Sequence, residues 1–206
     1  RRASGDLLVG EPFIQASIDQ KHPLAAQGSM TVSSEAETIA AIRQIKEAGL
    51  WGVKFYTSMN PGWIAPGAAE AHKLGLHVSG HVPATMRPLD AVKAGYDELT
   101  HLNFVVMQAM PQEIVDKANT AERIEGPARF GKDVDWSSPE NRAFIAELKE
   151  RGTIVDPTLV IFEGALTLDG GAPAPAYAPY MGIIWPVVDP TFKAGGHPLG
   201  EGFTRE

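Results

Sequence analysis

Apolar and polar residues follow two periods along this chain, and the two periods succeed one another in a fixed order. Ser34 and Glu37 form the capping box that begins a helix, isoleucines at helical spacing continue it, and Gly49 ends it. An apolar run within residues 49–58 (GLWGVKFYTS) then predicts a buried strand. Lys54 interrupts that run, although a charged amine is costly to bury.

The same order of helix, glycine and strand recurs three more times. Predicted helices span 67–75, 87–95 and 139–152, each ends at a glycine, and predicted strands follow at 76–82, 97–104 and 153–162. The alternation in PFIQASID predicts a further strand at 12–19. Strands that alternate with helices predict a parallel sheet of the α/β class, either open and doubly wound or closed as a (β/α)8 barrel. No glycine-rich phosphate-binding motif follows any of these strands.

Two regions interrupt this order. Residues 105–138 form a connection too long for an ordinary loop, and such connections are usually functional lids or disordered segments. Residues 163–206 are rich in proline and glycine and need not form regular structure. We therefore expect a single domain over residues 1–206, with a lid insertion at 105–138 and an irregular stretch at 163–206.

The composition excludes several classes of function. The 206 residues carry a net charge of −7 and have a pI near 5.4, so no basic surface favours nucleic acid or an anionic membrane. No apolar run is long enough to span a bilayer, which predicts a soluble protein, cytoplasmic or periplasmic. Because cysteine is absent, disulfides and thiolate metal sites are excluded, and any metal ligands must be His, Asp, Glu or a less common side chain.

Three side chains with suitable chemistry lie on or at the ends of consecutive predicted strands: Lys54, His81 and His101. Active sites of parallel α/β folds lie at the carboxyl ends of the strands, where these side chains can converge. Each has an ordinary structural explanation when taken alone, since a lysine often lies along a strand edge and a histidine is often a hydrogen-bonded core residue. Their shared register, about one β–α unit apart, favours a joint functional role.

The other histidines are not candidates. His77 lies four residues before His81, and we expect it near the opposite end of the sheet with a structural role. His72 falls on the exposed side of a predicted helix, and His22 and His197 fall in predicted loops.

The motifs GVKFY, AHKLGLHVSGHVPA, AVKAGYDELTHLNF and GTIVDPTLVIFE, in this order, resemble the amidohydrolase superfamily of metal-dependent hydrolases. The resemblance covers residues 35–165 and is strongest to the imidazolonepropionase and Xaa-Pro dipeptidase-like branch. It implies a (β/α)8 TIM-type barrel, of which this chain supplies a part, about strands 3 to 7, with the long loop after the sixth strand.

The resemblance also implies roles for the three side chains. Lys54 would react with CO2 to give a carbamate that bridges two divalent metal ions, expected to be Zn²⁺, and His81 and His101 would be the ligands from strands 5 and 6. This role accounts for a lysine in an apolar strand, because burial lowers the pKa of an amine and only the neutral amine attacks CO2. Tyr56 and Asn103, each two residues beyond an expected ligand, are candidate substrate-binding residues.

The implied activity is hydrolysis of carbon–nitrogen bonds in a small-molecule or short-peptide amide, a non-standard peptide or a cyclic amide, by a metal-bridging hydroxide. The His-x-His pair that the family carries on its first strand is absent, and Asp189 is a poor match to the aspartate of the eighth strand. The first residue is Arg1. We therefore expect an internal piece of a longer chain whose flanking sequence completes the barrel, and we expect this piece to be inactive alone.

Two other functions remain open at this point. Lys54 could form a Schiff base with a carbonyl substrate, as in a lyase, without any metal at His81 and His101. The chain could also be a non-catalytic half-barrel module. Metal content separates the hydrolase from both.

Overall fold

In a computed structural model, the structure describes residues 13–21 and 26–166 and, further on, residues 171, 173, 175, 177–183, 186 and 189–195. Its centre is a six-stranded, all-parallel sheet in the order β2-β1-β3-β4-β5-β6. The strands are β1 (Gln15–Gln20), β2 (Met30–Val32), β3 (Gly52–Phe55), β4 (His77–Gly80), β5 (Glu98–Thr100) and β6 (Ile154–Asp156). This sheet confirms the α/β class and is consistent with part of a TIM-type barrel.

Helices connect the strands. They are α1 (Glu35–Glu47), α2 (Ile64–Lys73), α3 (Pro88–Lys93), α4 (Leu102–Val106), α5 (Gln112–Val115), α6 (Glu122–Phe130), α7 (Pro139–Arg151), α8 (Leu159–Leu166) and α9 (Asp189–Ala194). Short 3₁₀ turns lie at Pro61–Trp63, Met107–Ala109, Gly131–Asp133 and Ala178–Tyr180. The predicted rhythm is confirmed in all four units, because a glycine with positive φ separates each of α1, α2, α3 and α7 from the strand that follows.

The helix starts also follow the sequence signals. The Ser34 hydroxyl accepts the amide proton of Glu37, while the Glu37 carboxylate accepts the amide proton of Ser33. The Ser138 hydroxyl accepts the amide proton of Asn141 at the start of α7, and Pro139 occupies the first turn of that helix. These local interactions lie within one helical turn, which is why the sequence pattern finds them.

The two faces of the sheet differ in polarity. Ile18, Val53, Phe55, Val78 and Leu99 are fully buried against the helices and form the core. On the other face, Lys54 is aligned between Ser17 of β1 and Ser79 of β4, and the Ser79 hydroxyl donates a 2.5 Å hydrogen bond to the Gln15 side chain. Because side chains alternate along a strand, Lys54 lies on the polar face, away from the helices that pack on Val53 and Phe55.

Several predicted boundaries are wrong. The strand predicted at 97–104 ends at Thr100, because His101 has a positive φ and α4 begins at the next residue. The strand predicted at 153–162 is only Ile154–Asp156, and α8 follows it. The helix predicted at 67–75 begins three residues earlier. The strand predicted at 12–19 is Gln15–Gln20, and β2 was not predicted.

The two regions that interrupt the rhythm contain helices. Residues 105–138 hold the end of α4, then α5, α6 and two 3₁₀ turns, so this stretch is neither an open loop nor disordered. Within 163–206, the described residues include the end of α8, one 3₁₀ turn and α9, which Asp189 begins. The division into domains stays a prediction.

No helix among the described residues has both the length and the apolar composition needed to cross a bilayer.

Candidate metal centre

Lys54 is half-buried on the polar face of β3. Its Nζ lies 5.7 Å from the centroid of the Tyr56 ring. Burial lowers the pKa of the Lys54 amine, and the negative charges of Asp156 and Glu98 oppose part of that shift. The amine is therefore more often neutral, and hence more nucleophilic, than a lysine in water.

His81 directly follows β4, and Gly80 fixes where it lies. The His81 amide donates a 2.9 Å hydrogen bond to the Phe55 carbonyl, continuing the ladder between β3 and β4. Gly80 has a φ of +142°, and a Cβ atom there would overlap that same carbonyl oxygen. Only glycine therefore allows the two backbones to approach closely enough to hold His81 in this position.

The imidazole of His81 has one occupied and one free nitrogen. Nδ1 lies 2.9 Å from the Thr57 hydroxyl, whereas Nε2 is buried and has no hydrogen-bond partner. Phe104 stacks on the ring at 4.7 Å between centroids. Burial, assisted by the charges of His101, Lys54 and Arg123, lowers the pKa of His81 to about 2. The ring is therefore neutral at physiological pH.

His101 lies at the carboxyl end of β5 in a strained conformation. Its φ is +73°, and its amide donates a 2.6 Å hydrogen bond to the carbonyl of Asp156. Its Nδ1 lies 2.6 Å from the hydroxyl of Thr158, which itself has a φ of +45°. A positive φ at a residue other than glycine costs about 1–3 kcal/mol, and such conformations cluster at functional sites. Burial first, then the charge of Lys54, lowers the pKa of His101 to about 4, against the opposing charge of Asp156.

These side chains meet at one end of the sheet. The ring centroids of His81 and His101 are 4.9 Å apart, and Tyr56 lies 4.3 Å from His81. The charge of Lys54 acts on both histidines. The structure thus brings the three predicted ligands to one region, at the carboxyl ends of β3, β4 and β5.

The remaining histidines lie elsewhere. His77 begins β4 at the opposite end of the sheet, where it bonds Glu98 at 3.1 Å and stacks on Trp51. His72 is exposed on α2 and bonds Asp97 at 3.0 Å. His22 and His197 lie outside the described residues.

The two candidate substrate-binding residues have different surroundings. Tyr56 is half-buried beside His81 and Lys54. Asn103 is buried in α4, where its Nδ2 donates a 2.8 Å hydrogen bond to the Arg123 carbonyl of α6 and its Oδ1 has no partner. A substrate-binding role for either residue stays a prediction.

Sequence reasoning missed four residues at this site. Asp156 ends β6 as His81 and His101 follow β4 and β5, so the strand-end rule that selected the histidines also points to this carboxylate. Thr57, Thr158 and Arg123 gave no such signal, because their relation to the histidines depends on contacts between distant segments.

The arrangement fits a divalent metal ion in part. Among the described residues, no group of three or more His, Cys, Asp or Glu side chains is arranged to hold one. Lysine is not among those types, and a carboxylated Lys54 would add a third ligand to the two histidines. The buried, unpartnered Nε2 of His81 and the neutral state of both rings match what a metal requires of imidazole.

No protein-family model matches the chain, and no curated protein matches it. The chain is similar to solved structures that it covers only in part. A bottromycin amidohydrolase shares 18% identity at a TM-score of 0.45, over 73% of this chain and 43% of that one. A Xaa-Pro dipeptidase with bound methionine in its active site shares 21% at 0.34, over 63% and 38%. The ochratoxinase of A. niger shares 15% at 0.36, over 68% and 43%.

The chain therefore spans less than half the length of these structures. The fold described above rests on the chain's own strand order, because every one of these TM-scores is below 0.5. Of these three structures, the first is an amidohydrolase by name.

Proposed function

We propose that this chain is part of an amidohydrolase-type enzyme that cleaves carbon–nitrogen bonds with a divalent metal ion. The metal ligands would be a carboxylated Lys54, His81 and His101. The observation that carries the proposal is the buried Nε2 of His81, which has no hydrogen-bond partner although it lies beside a second neutral imidazole. A buried polar atom without a partner is rare in a folded protein, and a bound ion is one of the explanations for it.

The hydroxyl groups behind the rings support the proposal. A threonine oxygen that accepts the Nδ1 proton leaves the Nε2 lone pair available to a metal, and metal-binding histidines usually have such a partner. Thr57 lies within hydrogen-bond distance of His81, and Thr158 within hydrogen-bond distance of His101. Both rings would thus be held in one orientation before any ion binds.

The surroundings of Lys54 support the carbamate. Burial favours the neutral amine, which is the form that combines with CO2. The resulting group is anionic and has two oxygens, so it would resemble an extended carboxylate. It would offset the positive charge of a bound cation, whereas the two imidazoles proposed as ligands are neutral.

A bound metal ion and the protein side chains would each supply part of the catalytic chemistry. A bound divalent ion, expected to be Zn²⁺ in a site of nitrogen and oxygen ligands, would lower the pKa of water and polarise the substrate carbonyl. His81 and His101 would hold it from β4 and β5, Phe104 and Tyr56 would limit water beside His81, and Arg123 would add positive charge near both rings. We expect a small-molecule or short-peptide amide as substrate.

The second metal ion of the superfamily would need ligands that this sequence lacks, since it contains no His-x-His motif. We also propose that β6 pairs with a further strand of the same polypeptide. Ile154 and Val155 of β6 are 54% and 36% exposed, unusually high for apolar residues of a parallel strand. By this proposal the chain alone binds at most one ion and does not turn over an amide.

The lowered pKa of Lys54 also favours a second candidate, in which the amine forms a Schiff base with a carbonyl substrate. This candidate gives no role to the unpartnered Nε2 of His81, which is why we rank it second. Reduction with borohydride in the presence of pyruvate would attach the probe to Lys54 if this candidate were correct.

Zinc titration of the purified chain with ¹³C-labelled bicarbonate tests the main proposal. We expect up to one zinc per chain and a carbamate carbon resonance, both lost in Lys54→Met. The control is Lys73→Met, because the Lys73 side chain on α2 is 74% exposed. Zinc binding that is unchanged in Lys54→Met, or borohydride trapping on Lys54 in a chain that binds no zinc, would contradict the proposal.

A further inference from the structure

A small cavity of about 180 Å³ lies between α4, α6 and α8. None of the described residues that line it is charged. The residues that matter for the argument are Leu102, Asn103, Ile124, Ala128, Trp136 and Phe162. The described lining therefore favours an apolar group over a charged one.

The cavity adjoins the candidate metal centre through the backbone. Leu102 and Asn103 directly follow His101 at the start of α4. Phe162 lies on α8, one helical turn beyond Thr158, whose hydroxyl bonds His101. One wall of the cavity thus begins directly after the proposed ligand His101, and another begins directly after Thr158, which bonds that ligand.

One lining residue has an unmet hydrogen-bond requirement. Asn103 is only 6% exposed, its Nδ2 donates to the Arg123 carbonyl, and its Oδ1 is buried without a partner. Leaving such an acceptor unpaired costs free energy that a ligand with an N–H or O–H group can recover.

We infer that this cavity is the subsite for a substrate group the size of a single aromatic ring that carries a hydrogen-bond donor, as a phenol does. This inference rests on the proposed function, because it assigns the cavity to the substrate of that site. An apolar cavity of about 150 Å³ binds benzene, so a volume of about 180 Å³ is sufficient for one ring. Asn103 Oδ1 would accept the donor of that ring.

The inference also gives the segment 105–138 a concrete role. Ile124, Ala128 and Trp136 belong to this segment and line the cavity. The segment would then select the substrate by shape without touching the metal ligands.

Binding of phenol to the metal-free chain tests the subsite independently of turnover. We expect phenol to shift the indole N–H resonance of Trp136, assigned with Trp136→Phe, and not those of Trp51 and Trp63. Fluorobenzene, which lacks a donor, should bind about tenfold more weakly. Asn103→Leu should remove that difference, and Ala128→Leu should weaken both probes, whereas Ala121→Leu, at the exposed N-cap of the same helix, should weaken neither.

A second measurement connects the cavity to the metal centre. In the chain loaded with Co²⁺, the ring protons of bound phenol should relax faster than in the chain loaded with Zn²⁺. Equal relaxation, or phenol binding that leaves Trp136 unchanged, would overturn the inference. If phenol binds at Trp136 but the chain binds no metal, the ring-binding cavity is supported and only the proposed hydrolase function fails.

Discussion

The two ends of β4 hold histidines four residues apart in opposite kinds of surroundings. His77, at the amino end, lies 3.1 Å from the Glu98 carboxylate and 3.8 Å from that of Asp97, with Trp51 stacked on its ring. His81, just past the carboxyl end, has a hydroxyl, aromatic rings and a second histidine as neighbours. One end thus offers anionic partners to an imidazole, and the other leaves a neutral nitrogen unpaired.

The difference shows what makes a histidine a candidate ligand. Both residues are histidines at an end of β4, and both side chains are partly buried. The carboxyl end of a parallel sheet brings together side chains from successive strands. At the amino end, His77 already contacts Glu98 of β5, Asp97 and Trp51. The following predictions test this contrast, from the largest expected effect to the smallest.

Removing each histidine in turn should separate the two ends most clearly. His81→Ala should weaken zinc binding more than about 100-fold, or about 2.7 kcal/mol, because it removes a ligand, and a ligand's hydrogen-bond partner alone is worth 10–100-fold. His77→Ala should leave the affinity unchanged. Competition with a chromophoric chelator measures both, and equal losses in the two variants would show that the site is misplaced.

Two glycines, Gly75 before β4 and Gly80 at its last position, should differ as the histidines do. Gly80→Ala should reduce the free energy of unfolding by about 2 kcal/mol more than Gly75→Ala, because the new Cβ overlaps the Phe55 carbonyl. Gly75 also has a positive φ, of +70°, but no atom lies within 4 Å of a Cβ there, so that variant carries the cost of a positive φ without an overlap. Urea denaturation gives both values. Similar losses would mean that β3 and β4 can separate at no cost.

The buried imidazoles should make the metal-free chain sensitive to acid. An unfolded histidine takes up a proton near pH 6.5, whereas the folded pKa of His81 is about 2 and that of His101 about 4. Since both are lowered, stability is complete above pH 6.5 and falls as the pH decreases below it. Each contributes a slope of up to about 1.4 kcal/mol per pH unit, and His101 contributes over a narrower pH range because its pKa is lowered less and solvent screens its partly exposed ring.

Urea denaturation at pH 7, 6 and 5 in the presence of EDTA measures this slope. His81→Gln should reduce it, because glutamine does not titrate. A slope that is the same in the variant and the wild-type chain would mean that His81 is protonated within the folded state.

How far the sequence predicts the candidate site is clearest at His101. The pattern of predicted strands places His101 at the end of β5, and it places Lys54 and His81 on or after their strands in the same way. The conformation of His101 does not follow from that pattern, since its positive φ ends the strand early and turns the chain into α4. The sequence likewise did not predict the short helices of the segment 105–138, because helices of mixed composition have weak periodicity and form only when they pack.

The sequence by itself determined the repeating unit of helix, glycine and strand, the α/β class and the order of the three candidate ligands. Capping, periodicity and glycine helix ends act within a few residues, so a short stretch of sequence is enough to predict them. Only the tertiary structure decided which groups support the ligands. Thr158 reaches His101 across 57 positions of the chain, and Thr57 reaches His81 across 24, through the alignment of neighbouring strands. A shift of one residue in that alignment would turn these side chains to the other face, and no local pattern reports it.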